Sequence, residues 1–311
     1  MKRWTCVVMG ILMMGGCETF KAGAPKGAIQ VIGHRGASAY APENTLASFR
    51  LAQELGADWF ELDVHLSKDG EVVVIHDGDV DRTTTGRGNV RDLTLAQLKA
   101  MDAGSKKNPK YAGEPLPTLA EALDLARGKC GVYIEIKDDD DDDDLMAKIL
   151  RDAEGQERGS DGLLRTMMKR IQDSGTRNLE LTRKTIALVR ERRMGRGVVL
   201  QSFSPIVCAV ALAEAPELRT EFLGAQSDKH PEYWNAYMRW AALLPVAGMN
   251  VSDDSLTEER LKQFHHAKRT VAVWTVDDEA DMRKLAGWGV DGIISNRPDA
   301  LLRVLKEMGK H

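Results

Sequence analysis

The chain is 311 residues long, 43% hydrophobic and 29% charged, with 28 glycines, 10 prolines and only 5% aromatic side chains. Such a chain can bury a substantial core, which excludes a disordered tail, a collagen-like repeat and a disulfide-stapled mini-protein. Forty-three basic against 47 acidic residues leave a net charge of −4, without the broad positive field of a nucleic-acid binder, so nucleic acid is not an expected partner.

In chain order the first feature reads as an address. Lys2 and Arg3 precede a nearly all-apolar stretch from Cys6 to Met14, followed by Gly15, Gly16 and Cys17. This is the positive start, apolar stretch and small-residue cleavage pattern of a secretory signal, and the apolar stretch is short for a bilayer span. The Met-Gly-Gly-Cys ending resembles a bacterial lipobox, which implies removal of residues 1–16 and acylation of Cys17, giving a membrane-tethered lipoprotein. Glu18 in the next position favours the outer over the inner membrane by the same resemblance, so the expected location is exported, on the periplasmic side. Residues 17–27 read as a tether. Losing Lys2 and Arg3 leaves 41 basic against 47 acidic residues, or −6. Cys130 and Cys208 lack metal-ligand spacing, and the reading favours two buried thiols over a disulfide.

From residue 28 onward, short β-branched runs alternate with helical patterns. Strands are expected at 29–33, 58–64, 131–136, 197–203, 218–224, 246–251, 270–276 and 290–294. Helices are expected at 43–55, 118–127, 181–193, 204–214, 231–242, 257–267, 277–287 and 298–308. Thr118 with Glu121 three residues on predicts a capping box. Eight strands with intervening helices predict one (β/α)8 TIM barrel over residues 28–311, with its site at the C-terminal strand ends. A ninth run, 71–76, follows Lys68-Asp69-Gly70 too closely for a parallel crossover, so 58–76 predicts a hairpin. With Asp69-Gly70 as a two-residue turn, Asp63 would lie opposite His76, and Glu61, Asp63 and His65 would share its face.

Three strand ends then carry chemistry: Gly33-His34-Arg35-Gly36, the Glu61-x-Asp63 pair with His76, and Glu135-x-Lys137. Glu61, Asp63 and Glu135 offer an all-oxygen site for one hard divalent cation, Mg²⁺ or Ca²⁺. Arg35 and Lys137 suit an adjacent phosphate oxyanion. His34 and His76 can divide general acid and general base near neutral pH. Together these predict phosphodiester cleavage.

The run GHRGASAYAPENTLASFRLAQELGADWFELDVHLSKDGEVVVIHD at 33–77 resembles the opening of the glycerophosphodiester phosphodiesterase family. YIEIK at 133–137, QSFSP at 201–205, VWTVD at 273–277 and VDGIISNRP at 290–298 agree in order. The resemblance implies a barrel with a small insertion at about 78–117 and hydrolysis of a glycerophosphodiester to an alcohol and glycerol 3-phosphate. It implies His34 and His76 as the catalytic pair, Glu61, Asp63 and Glu135 as metal ligands, and Arg35 and Lys137 as phosphate contacts. Glu43, in the Pro-Glu-Asn-Thr segment, would support the site, and Trp274 would pack against the glycerol or the leaving alcohol. Rival readings are a lysophospholipase D or sphingomyelinase D-like enzyme on the same barrel, and an exported phosphodiester-binding protein without catalysis.

One departure from the family follows Lys137. Seven consecutive aspartates, Asp138 to Asp144, open an extra segment reaching about residue 196, long for a barrel connection. The expectation is a solvated acidic loop followed by extra helix, its like charges repelling one another. A sharper alternative has the run concentrate divalent cations near Glu135 or discourage strongly anionic substrates.

Overall fold

The computed structural model describes residues 28–153, 160–226 and 229–311. Its strands are β1 (Gln30–Gly33), β2 (Trp59–Leu66), β3 (Val72–Val74), β4 (Gly131–Ile136), β5 (Val198–Ser202), β6 (Arg219–Gly224), β7 (Gly248–Ser252), β8 (Thr270–Trp274) and β9 (Gly292–Ser295). Neighbours run β1-β9-β8-β7-β6-β5-β4-β2-β3, and a β1–β2 pairing closes eight parallel strands into a TIM barrel. β3 is an antiparallel appendage on β2. All eight barrel strands lie where the apolar runs place them.

The helices are α1 (Leu46–Glu54), α2 (Leu95–Lys99), α3 (Leu119–Ala126), α4 (Asp143–Asp152), α5 (Asp161–Ser174), α6 (Arg177–Glu191), α7 (Pro205–Glu214), α8 (Glu232–Leu243), α9 (Glu258–His266), α10 (Glu279–Trp288) and α11 (Pro298–Glu307). α3 opens on the expected capping box: the Thr118 hydroxyl accepts from the Glu121 N–H, and the Glu121 carboxylate accepts from the Thr118 N–H. A parallel sheet is covered on both faces, which its near-continuous apolar strands permit. Outward residues such as Phe60, Leu62, Val132 and Ile134 pack beneath the helices. Inward residues Ile32, Trp59, Tyr133, Val199, Ala272 and Ile294 fill the barrel interior as an apolar cluster. Strand side chains alternate, so the next residues on the inward face of β2 above Trp59 are Glu61, Asp63 and His65. The apolar cluster therefore carries the polar site above it.

The hairpin forms, but its register differs by one residue from the expectation. Val64 faces Val74, His65 faces Val73 and Leu66 faces Val72. The turn takes three residues, not two: Ser67 N–H donates to the Glu71 carbonyl at 2.9 Å and Gly70 N–H to the Ser67 carbonyl at 3.1 Å, with Gly70 at φ 78°. A left-handed glycine closing a three-residue loop is a favoured hairpin geometry. Asp63 consequently pairs with Ile75, whose N–H donates to the Asp63 carbonyl. His76 lies beyond the ladder and is not the cross-strand partner of Asp63.

The aspartate run departs further from expectation. Asp142 is buried, and the buried Asn178 amide donates to both Asp142, at 2.8 Å, and Asp138. Asn178 Oδ1 accepts from the Asp139 N–H at 2.7 Å, Thr176 donates to Asp142 at 3.0 Å, and the Arg177 N–H donates to Asp140 at 2.7 Å. These donors surround the N-terminus of α6, whose dipole and unpaired N–H groups favour anions. Four of the seven aspartates, Asp138, Asp139, Asp140 and Asp142, thus join a polar network folded against a helix start. Asp138, Asp141, Asp143 and Asp144 remain exposed, and the last two begin α4. Cys130 and Cys208 are buried free thiols. Among the described residues no helix is long and apolar enough to cross a membrane, and the expected signal, Cys17 and tether lie outside those residues.

Candidate active site

β2 and β4 are adjacent and parallel, with Asp63 beside Glu135 in register. All three carboxylates, Glu61, Asp63 and Glu135, are buried, and one oxygen from each lies within 4.8 Å of the others. Lys137, the residue after β4, contacts Glu135 and places Nζ 2.7 Å from Asp63 Oδ1. Arg35 arrives from the loop after β1. Its N–H donates to Glu61 at 2.9 Å, its Nε lies 3.4 Å from Asp63 Oδ2, and its Nη1 donates to Glu43 at 2.8 Å. That loop turns sharply, with Arg35 at φ 51° and Gly36 at φ 84°. A Cβ at position 36 would lie 2.4 Å from the Ser48 hydroxyl, so only glycine fits the approach to α1. Asn44 grips Asp63 twice, donating to its Oδ2 at 2.7 Å and accepting from its N–H at 3.2 Å.

Charge is distributed unevenly among the acids. Burial pushes the Glu61 carboxyl well above its usual range, and the charges of Asp63 and Glu135 push it the same way. Glu135 is raised to about 7 by burial and Asp63, against the opposing pull of Lys137. Burial acts on Asp63 too, but Lys137 and Arg35 outweigh it and hold that carboxyl far below its usual range. Lys137 is held charged: burial opposes its charge and Asp63 and Glu135 override it. Three acids face two cations, so the fully ionised cluster carries one excess negative charge in a buried place. A hard divalent cation with oxygen ligands fits that donor set, and thiolates are absent from it.

His34 follows β1 directly. Its Nδ1 lies 2.7 Å from Asn296 Oδ1. Asn296 is oriented by Asp277, which accepts from its Nδ2 at 2.6 Å and its N–H at 2.8 Å. An amide whose nitrogen faces a carboxylate must turn its oxygen to the imidazole, so Nδ1 carries the proton and Nε2 keeps its lone pair. Burial, then the Arg35 charge, lower the His34 pKa to about 4 against the pull of Asn296. His76 Nδ1 lies 2.7 Å from Asp77. Burial lowers the His76 pKa, with the Asp63 charge opposing and the Lys137 and Arg35 charges assisting.

Sequence reading places every one of these residues near the barrel mouth but misses what orients them. Arg82, in the insertion, clasps Glu43 through two nitrogens at 2.8 Å each and Asp77 at 2.6 Å. That contact holds both carboxyls at about 2, against burial, and ties the insertion to the first and second motifs. Trp274, at the end of β8, meets Phe203 edge to face at 5.5 Å, and its indole N–H is buried without a hydrogen-bond partner among the described residues.

Two expected outcomes follow from this geometry. An imidazole with a pKa of about 4 is neutral across the neutral range, and protonation below that value removes its lone pair. An acid limb of kcat/KM that reports protonation of His34 should therefore fall near pH 4 to 5, where an ordinary histidine would place it near 6.5. The same depressed value makes stability full above pH 6.5 and progressively lost as pH falls toward 4, and His34→Gln should flatten that segment of a denaturation-against-pH curve. The second concerns His65, buried with Nδ1 2.5 Å from Asp139 and Nε2 3.1 Å from the His76 carbonyl. Asp139 also accepts from the Leu66 N–H at 3.1 Å. Asp139→Ala should lower kcat by about tenfold or more with little change in KM, because small displacements of a reacting group are costly. Asp139→Asn, which keeps the Leu66 bond, should recover much of it.

Residues 34–300 match the profile of the glycerophosphoryl diester phosphodiesterase family. A glycerophosphodiester phosphodiesterase of Caldanaerobacter subterraneus is 34% identical over 282 residues, 90% of this chain and 98% of the relative. One of Bacillus subtilis is 32% identical over 291 residues, covering 89% and 87%. Among solved structures, an Oleispira antarctica phosphodiesterase in complex with the product sn-glycerol-3-phosphate aligns with a TM-score of 0.70 at 28% identity, covering 90% of this chain and 97% of its own. The Agrobacterium tumefaciens glycerophosphodiester phosphodiesterase aligns with a TM-score of 0.63 at 28% identity, covering 88% and 99%.

Proposed function

Since this chain belongs to the glycerophosphoryl diester phosphodiesterase family and is a hydrolase of glycerophosphodiesters, we propose that it yields an alcohol and glycerol 3-phosphate by two-histidine acid–base catalysis beside a divalent cation. The observation that carries this reading is the convergence of His34, His76 and three buried carboxylates at one end of the barrel. The product named in the Oleispira complex supports glycerol 3-phosphate as the retained fragment.

In this mechanism Glu61, Asp63 and Glu135 would hold Mg²⁺ or Ca²⁺, which would supply neutralisation of charge on the phosphate oxygens. Arg35 and Lys137 keep Asp63 ionised and add positive charge toward the diester. His34, with its tautomer set by Asn296, takes a proton at Nε2 from the nucleophile, water or the substrate's own neighbouring hydroxyl. His76, backed by Asp77, carries a proton to the departing alkoxide. Glu43 and Arg82 brace the loops that carry both histidines. Trp274 walls the side of the mouth where the glycerol or leaving alcohol rests.

The test is a panel of glycerophosphocholine, glycerophosphoethanolamine and glycerophosphoglycerol, each with EDTA, Mg²⁺ or Ca²⁺. Metal-dependent release of glycerol 3-phosphate is expected; binding without phosphomonoester release under every condition would overturn the reading. We further propose that residues 1–16 are removed and Cys17 is acylated, holding the barrel on a periplasmic membrane face, a reading supported by the residue pattern alone. Labelling with an alkynyl fatty acid should mark the wild-type protein and not Cys17→Ser.

A further inference from the structure

Between the loop after β1 and the insertion that follows β3 lies a cavity of about 170 Å³ to which the mechanism gives no role. Ser38 and Glu43 line it from the β1 loop, and Arg82, Ala103, Lys106 and Lys107 from the insertion. Pockets that enclose a whole small-molecule ligand measure about 300 Å³ or more, so this one has room for a single substituent of a larger molecule. Its wall holds three cationic side chains and one anionic one.

Most of that charge is already matched. Arg82 directs its nitrogens at Glu43 and Asp77, and both Glu43 oxygens accept from Arg82, one of them from Arg35 as well. The two lysines differ. Lys106 donates to the Asp81 carbonyl and Lys107 to the Ser38 carbonyl at 2.7 Å, both backbone groups without formal charge. The Asp81 carboxylate, which feels the Lys106 charge, is itself taken up by Arg87 at 3.0 Å and the Gly88 N–H at 2.8 Å. An ammonium has three N–H donors and a carbonyl engages one, so each lysine keeps donors and its charge for an incoming anion. The turn that carries them is set in advance. The Asp102 carboxylate accepts from the N–H groups of Gly104, Ser105 and Gly113, and a Cβ at position 104 would lie 1.9 Å from the Tyr111 carbonyl oxygen.

Two contacts join the cavity to the reaction centre. The Ser38 hydroxyl donates to Asn296 Oδ1, the same oxygen that meets His34 Nδ1. Glu43 binds Arg35, which also reaches Glu61 and Asp63. We propose that this cavity is a subsite for a second anionic group, a carboxylate or a phosphate, carried by the alcohol that the diester releases, with Lys106 and Lys107 as the residues that select for it. This deepens the proposed function and rests on it. The glycerol side of the substrate carries hydroxyls alone, so the added charge belongs to the other alcohol. Overall, the P–O bond to that alcohol breaks, water supplies the new oxygen on phosphorus, and a proton passes to the departing alkoxide; the second anionic group takes no part in the bond changes. It contributes charge-assisted hydrogen bonds to the lysines, and a cationic rim also raises the local concentration of such substrates.

The experiment gives the full chain, with Mg²⁺ or Ca²⁺, two matched pairs of diesters. Glycerophosphoinositol and glycerophosphoinositol 4-phosphate differ by a phosphate, and glycerophosphoethanolamine and glycerophosphoserine by a carboxylate. In at least one pair the more anionic member should have the higher kcat/KM by about fivefold or more at low ionic strength, and the pair that shows it identifies the group. Lys106→Gln and Lys107→Gln, which remove the charge and keep an N–H donor, should each bring that ratio about threefold closer to one, and the double variant should abolish it. Lys110→Gln, at an exposed lysine of the same loop that lies over Tyr111 outside the cavity, should leave the ratio as in wild type. A ratio taken within each variant does not respond to a general loss of fold or activity. Calorimetry on metal-loaded His34→Ala, with and without the lysine changes, should give the same ranking as affinities without turnover. Equal rates within both pairs, a preference that survives in the double variant, or an equal loss in Lys110→Gln would overturn the subsite. Absence of phosphomonoester release from all four diesters would count against the proposed function, and the calorimetric ratio would still judge the subsite.

Discussion

His34→Ala and His76→Ala should each lower kcat by about 10²- to 10⁴-fold, the range for removing a positioned acid or base. The loss should appear in kcat and kcat/KM alike, since neither imidazole is assigned to ground-state binding. The two changes together should cost little more than the worse one, because an acid and a base that serve one transition state act as a unit. Structure should survive. His34 is held by Asn296 and by the hydrogen bond from its N–H to the Ser295 carbonyl, and the latter is retained in alanine. His76 lies beyond β3, so its removal leaves the ladder intact. Asn296→Ala should fall between wild type and His34→Ala, because it frees the tautomer without deleting the ring. Full activity in both histidine variants, with circular dichroism unchanged, would sink the assignment.

The second large effect concerns the carboxylates. Glu61→Gln, Asp63→Asn and Glu135→Gln should each reduce metal-supported turnover by about 10²-fold or more, since each removes an anionic oxygen from the proposed cation site and from the charge pattern beside it. A thermal-shift measurement separates this from loss of fold. A ligand present at 100 times its Kd stabilises by about 2.7 kcal/mol, so wild-type Tm should rise with added Mg²⁺ or Ca²⁺ and the variants should respond weakly or not at all.

The dependence on pH has a definite sign. Glu61 and Glu135 are raised on folding, so without metal their contribution to stability is present below the unfolded value of 4.5 and lost as pH rises, through about 7 for Glu135. The metal-induced gain in Tm should therefore grow between about pH 5 and pH 8. Metal-free Glu61→Gln should be at least as stable as wild type at pH 8, because the amide has the shape of the protonated acid without its charge. A metal-free variant that is much less stable than wild type would contradict the picture of a crowded, incompletely compensated cluster.

Much of this molecule was readable before its structure, for a physical reason. Strands buried on both faces must be short apolar runs, so IQVIG, GVYIEI and VAVW could hardly be anything else, and acidic residues at their C-terminal ends stand out against that background. Position along a strand also settles which residues face inward, which is why Glu61, Asp63 and Glu135 could be grouped. The hairpin register was misread because a two-residue and a three-residue turn differ only in how Gly70 is used. His76 reaches the site from beyond the ladder.

The residues that orient the histidines were illegible for a different reason. Asn296 is 262 positions from His34, and Asp277 and Arg82 act only through contacts that the closed barrel creates. The aspartate run misled most. Seven like charges read as repelling and solvated, yet the Arg177 N–H at the start of α6 donates to Asp140, the Asn178 amide nitrogen donates to Asp142, and Asp139 is drawn inward by the Leu66 N–H and by donating its own N–H to Asn178 Oδ1. A helix terminus cannot be paired with a distant acid by inspection of the chain. The same segment supplies α4.

The most direct measurement is ³¹P NMR of glycerophosphocholine incubated with the full chain and Mg²⁺ or Ca²⁺, run beside EDTA and His34→Ala controls. The predicted result is replacement of the diester resonance by that of glycerol 3-phosphate with the wild-type protein and metal, and an unchanged diester in both controls. Persistence of the diester with the metal-loaded wild-type protein, or equal conversion by His34→Ala, would contradict the account.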